Sequence, residues 1–182
     1  MISMVKPVKQ DRKRTMGAMI VFFGLYAGAW LLASPQPLAW PALMLGLPLI
    51  WLSVVDIDRF EIPDLASAWI LLGGIWWQFS CGWGVVLDVL IVFLLMFLFS
   101  ILAKKWMGKT ALGFGDVKLL GASAAWVGAL GISSVVLLAS VAGIIFTVMM
   151  WGIRRRRFDA PIPFGPFIAM GVWAVWLFGP IL

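Results

Sequence analysis

LAWPALMLGLPLIWLSVVDIDRFEIPD, residues 38–64, carries no charge from 38 to 55 and then turns acidic at Asp56. As a helix, the uncharged run rises about 27 Å, close to the thickness of a bilayer's hydrocarbon core. It does not alternate apolar and polar residues as a barrel strand would, and in lipid only helices and closed barrels satisfy the backbone. Similar runs occupy 16–33, 65–80, 84–103, 117–130, 133–152 and 163–181. The sequence therefore predicts an all-α, polytopic membrane helix bundle of about six or seven transmembrane helices. Residues 1–15 form a basic cytoplasmic tail and 16–182 a single transmembrane domain.

Composition agrees. Of 182 residues, 63% are hydrophobic and 12% charged, against about half and a quarter in soluble domains. The 12 Trp and 10 Met suit wide lipid contact and interfacial anchoring. The first run is too long for a removable signal peptide and has no small-residue cleavage pattern. The one cysteine, Cys81, provides neither an intrachain disulfide nor a cysteine metal cluster, and there is no histidine. Ser-His-Asp and Cys-His catalysis and the usual zinc ligands are excluded. No metal or cofactor is expected, and acid–base chemistry falls to Asp, Glu, Lys or Tyr26.

The basic residues fix the orientation. Lys6, Lys9, Arg12, Lys13 and Arg14 precede the first span, and Arg59 follows the second. Lys104, Lys105, Lys109 and Lys118 lie after the fourth, and Arg154–Arg157 after the sixth. These groups hold all 14 Lys and Arg, and with seven spans they share one side, the cytoplasm. The loops near 34–37, 81–83 and 131–132 carry no charge. The net charge of +6 thus reads as topogenic, with anionic lipid headgroups as partners and no nucleic acid.

Seven of the 8 acidic residues share that side: Asp11, Asp56, Asp58, Glu61, Asp64, Asp116 and Asp159. Asp88, near the opposite end of the fourth span, reads as a helix-end polar contact. Asp56 should end its helix, half out of water, and Asp116 should begin one at the mirror-image position. Carboxylates at membrane depth are costly and usually functional. Position alone leaves Asp56 and Asp58 both open, with depth favouring Asp56.

Two adjacent carboxyls share a proton. The ionised member can activate a water while the protonated one polarises a carbonyl and assists the leaving amine. Gly113 and Gly115, flanking Phe114, let backbone approach closely beside Asp116. The structural alternative is a plain loop before a helix with Asp116 at its N-cap.

Asp56 to Asp64 resembles the first-aspartate motif of the type IV prepilin peptidases, which closes on Ile/Leu-Pro-Asp/Asn. Gly113-Phe114-Gly115-Asp116-Val117-Lys118-Leu119-Leu120 looks like their Gly-x-Gly-Asp motif. Pro161-Ile162-Pro163-Phe164-Gly165-Pro166-Phe167 is similar to the Pro-x-Pro-Phe-Gly-Pro segment that opens their last span. The resemblance covers about residues 38–181. It implies an aspartyl endopeptidase of the bacterial inner membrane that cuts prepilins or pseudopilins at the cytoplasmic face. Asp56 and Asp116 would be catalytic, while Gly113, Gly115, Lys118, Pro63, Asp64, Pro163, Phe164 and Gly165 shape the site or bind substrate. Long members also carry paired Cys-x-x-Cys motifs and N-methylate the pilin. With Cys81 alone, this chain resembles the short members of Tad/Flp-type or other type IVb-like systems. Cleavage without methylation is expected, and the oligomeric state is open. Lys118 can offset charge near Asp116 or simply snorkel.

The main alternative is an ion- or proton-coupled transporter component using the same aspartates. Against it, the acids gather at one face rather than the midplane, and no internal repeat is evident. A non-catalytic assembly subunit with both acids as helix caps is the third reading.

Overall fold

A computed structural model describes residues 12–33, 39–78, 82–107, 112–154 and 162–181. The tail through Asp11, as well as Cys81, Lys109, Arg155 to Arg157, Asp159 and Pro161, lies outside them. The described residues form helices α1 (Arg12–Leu32), α2 (Ala39–Arg59), α3 (Asp64–Gln78), α4 (Gly84–Met107), α5 (Phe114–Arg154) and α6 (Gly165–Phe178). Four of them (α1, α2, α4 and α5) are long and apolar enough to cross a membrane. The protein is an all-α membrane helix bundle.

The 41-residue α5 would be about 60 Å long if straight, twice the hydrocarbon core. It breaks at Gly128, whose φ of 73° and ψ of 167° are readily reached only without a Cβ. The first arm, 114–127, leads from Asp116 to Trp126, whose ring meets Trp176 near the end of α6. The second arm runs back along α6: Gly131 lies at Val175, Gly171 at Val135 and Gly143 at Phe164. One continuous element thus supplies two antiparallel rods. The expected pause at 131–132 is corrected to Gly128. Gly131 is helical, packed against Val127 and Val175. The Asp88 carboxylate lies 3.6 Å from where a Cβ would stand at Gly128, so Asp88 borders this reversal.

The first arm of α5 is the bundle's buried centre, with Val117 and Leu119 to Trp126 enclosed by α3, α4 and α6. Lipid gives no hydrophobic drive between helices, so they associate by close packing through small residues. A Cβ on Gly74 would lie 2.6 Å from the Ala125 Cβ, and one on Gly121 3.1 Å from that of Phe93. Trp126 Nε1 donates to the Ile70 carbonyl at 2.7 Å, tying α5 to α3. Leu87, Leu94 and Leu98 of α4 point outward. At one end Trp40 packs against Trp76 and Trp77. The other end gathers the close of α2 and the starts of α3, α5 and α6.

Candidate active site

The apolar run ends at Val55, but the helix does not. α2 continues through Arg59, which puts Asp56 a turn inside it and only 5% exposed. The expected half-solvated helix end is therefore corrected: Asp56 is buried where α2 meets α6. Its carbonyl accepts the Phe60 amide at 2.9 Å, closing the last turn. Phe60 itself has φ +55°, rare for a non-glycine residue. That turn sends the chain into 61–63, and the Pro63 carbonyl accepts the Ala66 amide at 3.1 Å to start α3.

Asp116 is the third residue of α5, not its N-cap. The Gly113 carbonyl accepts the Val117 amide at 3.2 Å, and the Gly113 amide donates back to the Asp116 carboxylate. The first is the opening bond of the helix and the second is the N3 half of a capping box, with aspartate in the usual Glu/Gln place and no N-cap side chain for the other half. That second bond fixes the side chain over its own helix start. Both glycines beside it lie in tight contact with their surroundings. A Cβ on Gly113 would lie 3.1 Å from Asp116 Oδ2, and one on Gly115 3.2 Å from the Ile62 Cβ. Gly115 thereby lets the α2–α3 connection settle onto the start of α5, bringing the two acidic motifs together.

The third motif meets Asp56 directly. The Gly165 amide donates to Asp56 Oδ2 at 2.8 Å in a buried contact, and a Cβ at 165 would stand 2.8 Å from the same oxygen. The carboxylate thus sits on the α6 N-terminus, where unpaired amides and the helix dipole favour negative charge. Phe164 is the N-cap residue of α6 and packs over Gly143. Pro163 lies just before it on the wall of the site.

Asp56 and Asp116 line one open cleft of about 740 Å³, close enough for their charges to interact. Gly113, Gly115, Lys118, Pro63, Asp64, Pro163 and Phe164 also line it, while Gly165 is not on its wall and acts through its contact with Asp56. Lys118 pairs with Asp64, not with an aspartate of the central pair, and lies 4.9 Å from the Phe114 ring centroid. Asp58 is turned away: its Oδ2 accepts from Thr15 Oγ1 of α1 at 3.2 Å. The geometry therefore separates two carboxylates that position alone left open.

Phe60 and Ile62 were not singled out from the sequence. Ile62 carries no local sign of its contact with Gly115. Phe60 had one weak sign, an aromatic directly beyond a helix end. Among the described residues, no three His, Cys, Asp or Glu side chains are grouped to hold a metal. What the cleft offers is two carboxyls, each given a backbone donor, facing a space open to water.

The sequence model of the type IV leader peptidase family matches residues 43–148, which include both aspartates. The chain is similar to a prepilin leader peptidase/N-methyltransferase of Aeromonas salmonicida, with 33% identity over 146 residues, 76% of this chain and 49% of that protein. A protein of the same name from Burkholderia pseudomallei is 34% identical over 159 residues, 85% of this chain and 52% of the relative. One from Pectobacterium carotovorum is 34% identical over 151 residues, covering 80% and 54%. The chain spans about half the length of these curated relatives. No solved structure matches it significantly.

Proposed function

The chain belongs to the type IV leader peptidase family, and from that premise we propose that it is a membrane aspartyl endopeptidase removing the short basic leader from prepilins or pseudopilins. The observation that carries this reading is the meeting of Asp56 and Asp116 in one water-accessible cleft within the family-matched region. In the proposed reaction the pair holds one proton. The ionised carboxylate takes a proton from water, whose oxygen attacks the scissile carbonyl carbon. The protonated partner hydrogen-bonds the carbonyl oxygen, and a proton passes to the nitrogen as the C–N bond breaks. The Gly165 and Gly113 amides hold the two carboxylates in place.

Arg59 and Lys118 on the cleft wall, with the placement of the basic residues in the sequence, support a cytoplasmic active site in the bacterial inner membrane, with residues 16–182 as one peptidase domain. Resemblance to the short members supports Flp-type or type IVb-like substrates. The test is coexpression with candidate prepilins, following leader loss on a gel for the parent, Asp56→Asn and Asp116→Asn. The parent should shorten the prepilin and neither variant should. Cleavage that survives both substitutions would refute the mechanism, and ion flux dependent on the same residues without cleavage would favour transport.

A further inference from the structure

The α2 face bearing Trp51, Val55 and Arg59 walls the catalytic cleft, and the same three residues also line a recess of about 350 Å³ against Thr15 and Met19 of α1. The two spaces share Pro63 as well. Met19 and Trp51 continue the recess into an apolar hollow of about 420 Å³. Phe23, Leu47 and Ile50 carry that hollow into another of about 250 Å³, which reaches Trp30 and Ala42. Linked end to end, these spaces form a furrow between α1 and α2. Measured along α2 from Asp58 to Ala42, it is about 24 Å long.

Polarity changes along its length. Thr15, Asp58 and Arg59 stand at the cleft end, and nearly every lining residue beyond them is apolar. The rims are outward-facing side chains: Phe23 is 58% exposed, Leu43 55% and Leu47 49%.

We propose that this furrow seats an apolar segment of the substrate adjoining the scissile bond, lying as a helix along α1 and α2. The proposal rests on the peptidase reading and adds the docking surface to it. Three observations select a peptide over a hydrocarbon chain. The furrow has its inner end against the catalytic cleft, with Trp51, Val55, Arg59 and Pro63 common to both walls. It turns polar where a chain must leave the apolar phase to present its peptide bond. Its length is near that of a membrane-crossing helix. A phospholipid also has a polar end, but it has no need of a site that shares its wall with the catalytic cleft.

The experiment places a photo-crosslinking benzophenone amino acid at Phe23 or Leu47 in the full chain carrying Asp116→Asn, coexpressed with a prepilin that the parent cleaves. Leu94 of α4 and Ile144 of α5, 65% and 64% exposed, serve as reference positions. Adducts with prepilin should form from 23 and 47 and not from 94 and 144. In otherwise unmodified enzyme, Leu43→Trp and Leu47→Trp should raise KM about tenfold at nearly constant kcat, the mark of lost uniform binding. Leu94→Trp should leave both unchanged. Equal crosslinking from the reference positions, adducts only with lipid or with a second copy of the chain, or unaltered KM in both Trp variants would overturn the proposal. A parent that cleaves no prepilin would instead overturn the peptidase reading, and the furrow's role with it.

Discussion

Ile62 rests directly on Gly115, so close that a Cβ there would stand 3.2 Å from the Ile62 Cβ. This is where the α2–α3 connection touches the start of α5, and so where the segment carrying Asp56 meets the one carrying Asp116. Gly115→Val should force the connection away and lower cleavage about 100-fold, the scale of a 1 Å misplacement. Gly115→Ala should cost less, and Ile62→Ala combined with it should recover activity beyond the product of the single effects. A double-mutant cycle on kcat/KM reads the coupling. Additive effects would show that the contact does not align the pair.

Gly165→Ala adds a methyl 2.8 Å from Asp56 Oδ2 and 3.0 Å from its Cγ, both buried. Either the carboxylate rotates or α6 backs away, and the 2.8 Å amide contact is lost in both cases. Cleavage should fall at least about 100-fold while the chain still folds and purifies as a bundle. Activity within about twofold of the parent would show that Asp56 needs no donor from α6.

The Lys118–Asp64 pair spans the cleft mouth, but Asp64 is 79% exposed and Lys118 31%. Water screens such a pair, so Lys118→Met or Asp64→Asn should each change stability by less than about 1 kcal/mol. Thermal unfolding in detergent at low and high salt checks this. A larger, salt-sensitive loss would assign the pair a structural role that its exposure argues against.

Phe60 holds a φ of +55° that a side chain disfavours. Both Phe60→Gly and Phe60→Ala remove the ring from the cleft wall, but only glycine relieves the backbone. Phe60→Gly should therefore be more stable than Phe60→Ala by about 1 kcal/mol, reversing their order in ordinary helix positions. Unfolding midpoints of the two variants decide it.

The membrane bundle was legible because hydropathy follows length, and runs such as 38–55 and 84–103 have no soluble alternative. The acidic pair was legible for the same reason, since each aspartate interrupts an apolar run. Helix ends were less so. Nothing in hydropathy says that α2 continues four residues past Val55, because hydrogen bonding, not polarity, carries it to Arg59. Gly128 and Gly131 are both glycines within an apolar stretch, and only packing on Val175 decides which one turns. The Asp56–Gly165 and Ile62–Gly115 contacts join distant segments and leave no trace in either segment's own pattern.

The hydrogen bond between Gly165 and Asp56 joins residues 109 apart in the chain. At about 5–20 residues per second of synthesis, roughly 5–20 seconds pass between making the carboxylate and making its donor. Because the amide at Asp56 arrives only with α6, the last helix in chain order, the proposed catalytic centre is completed only after every other described helix has been synthesised.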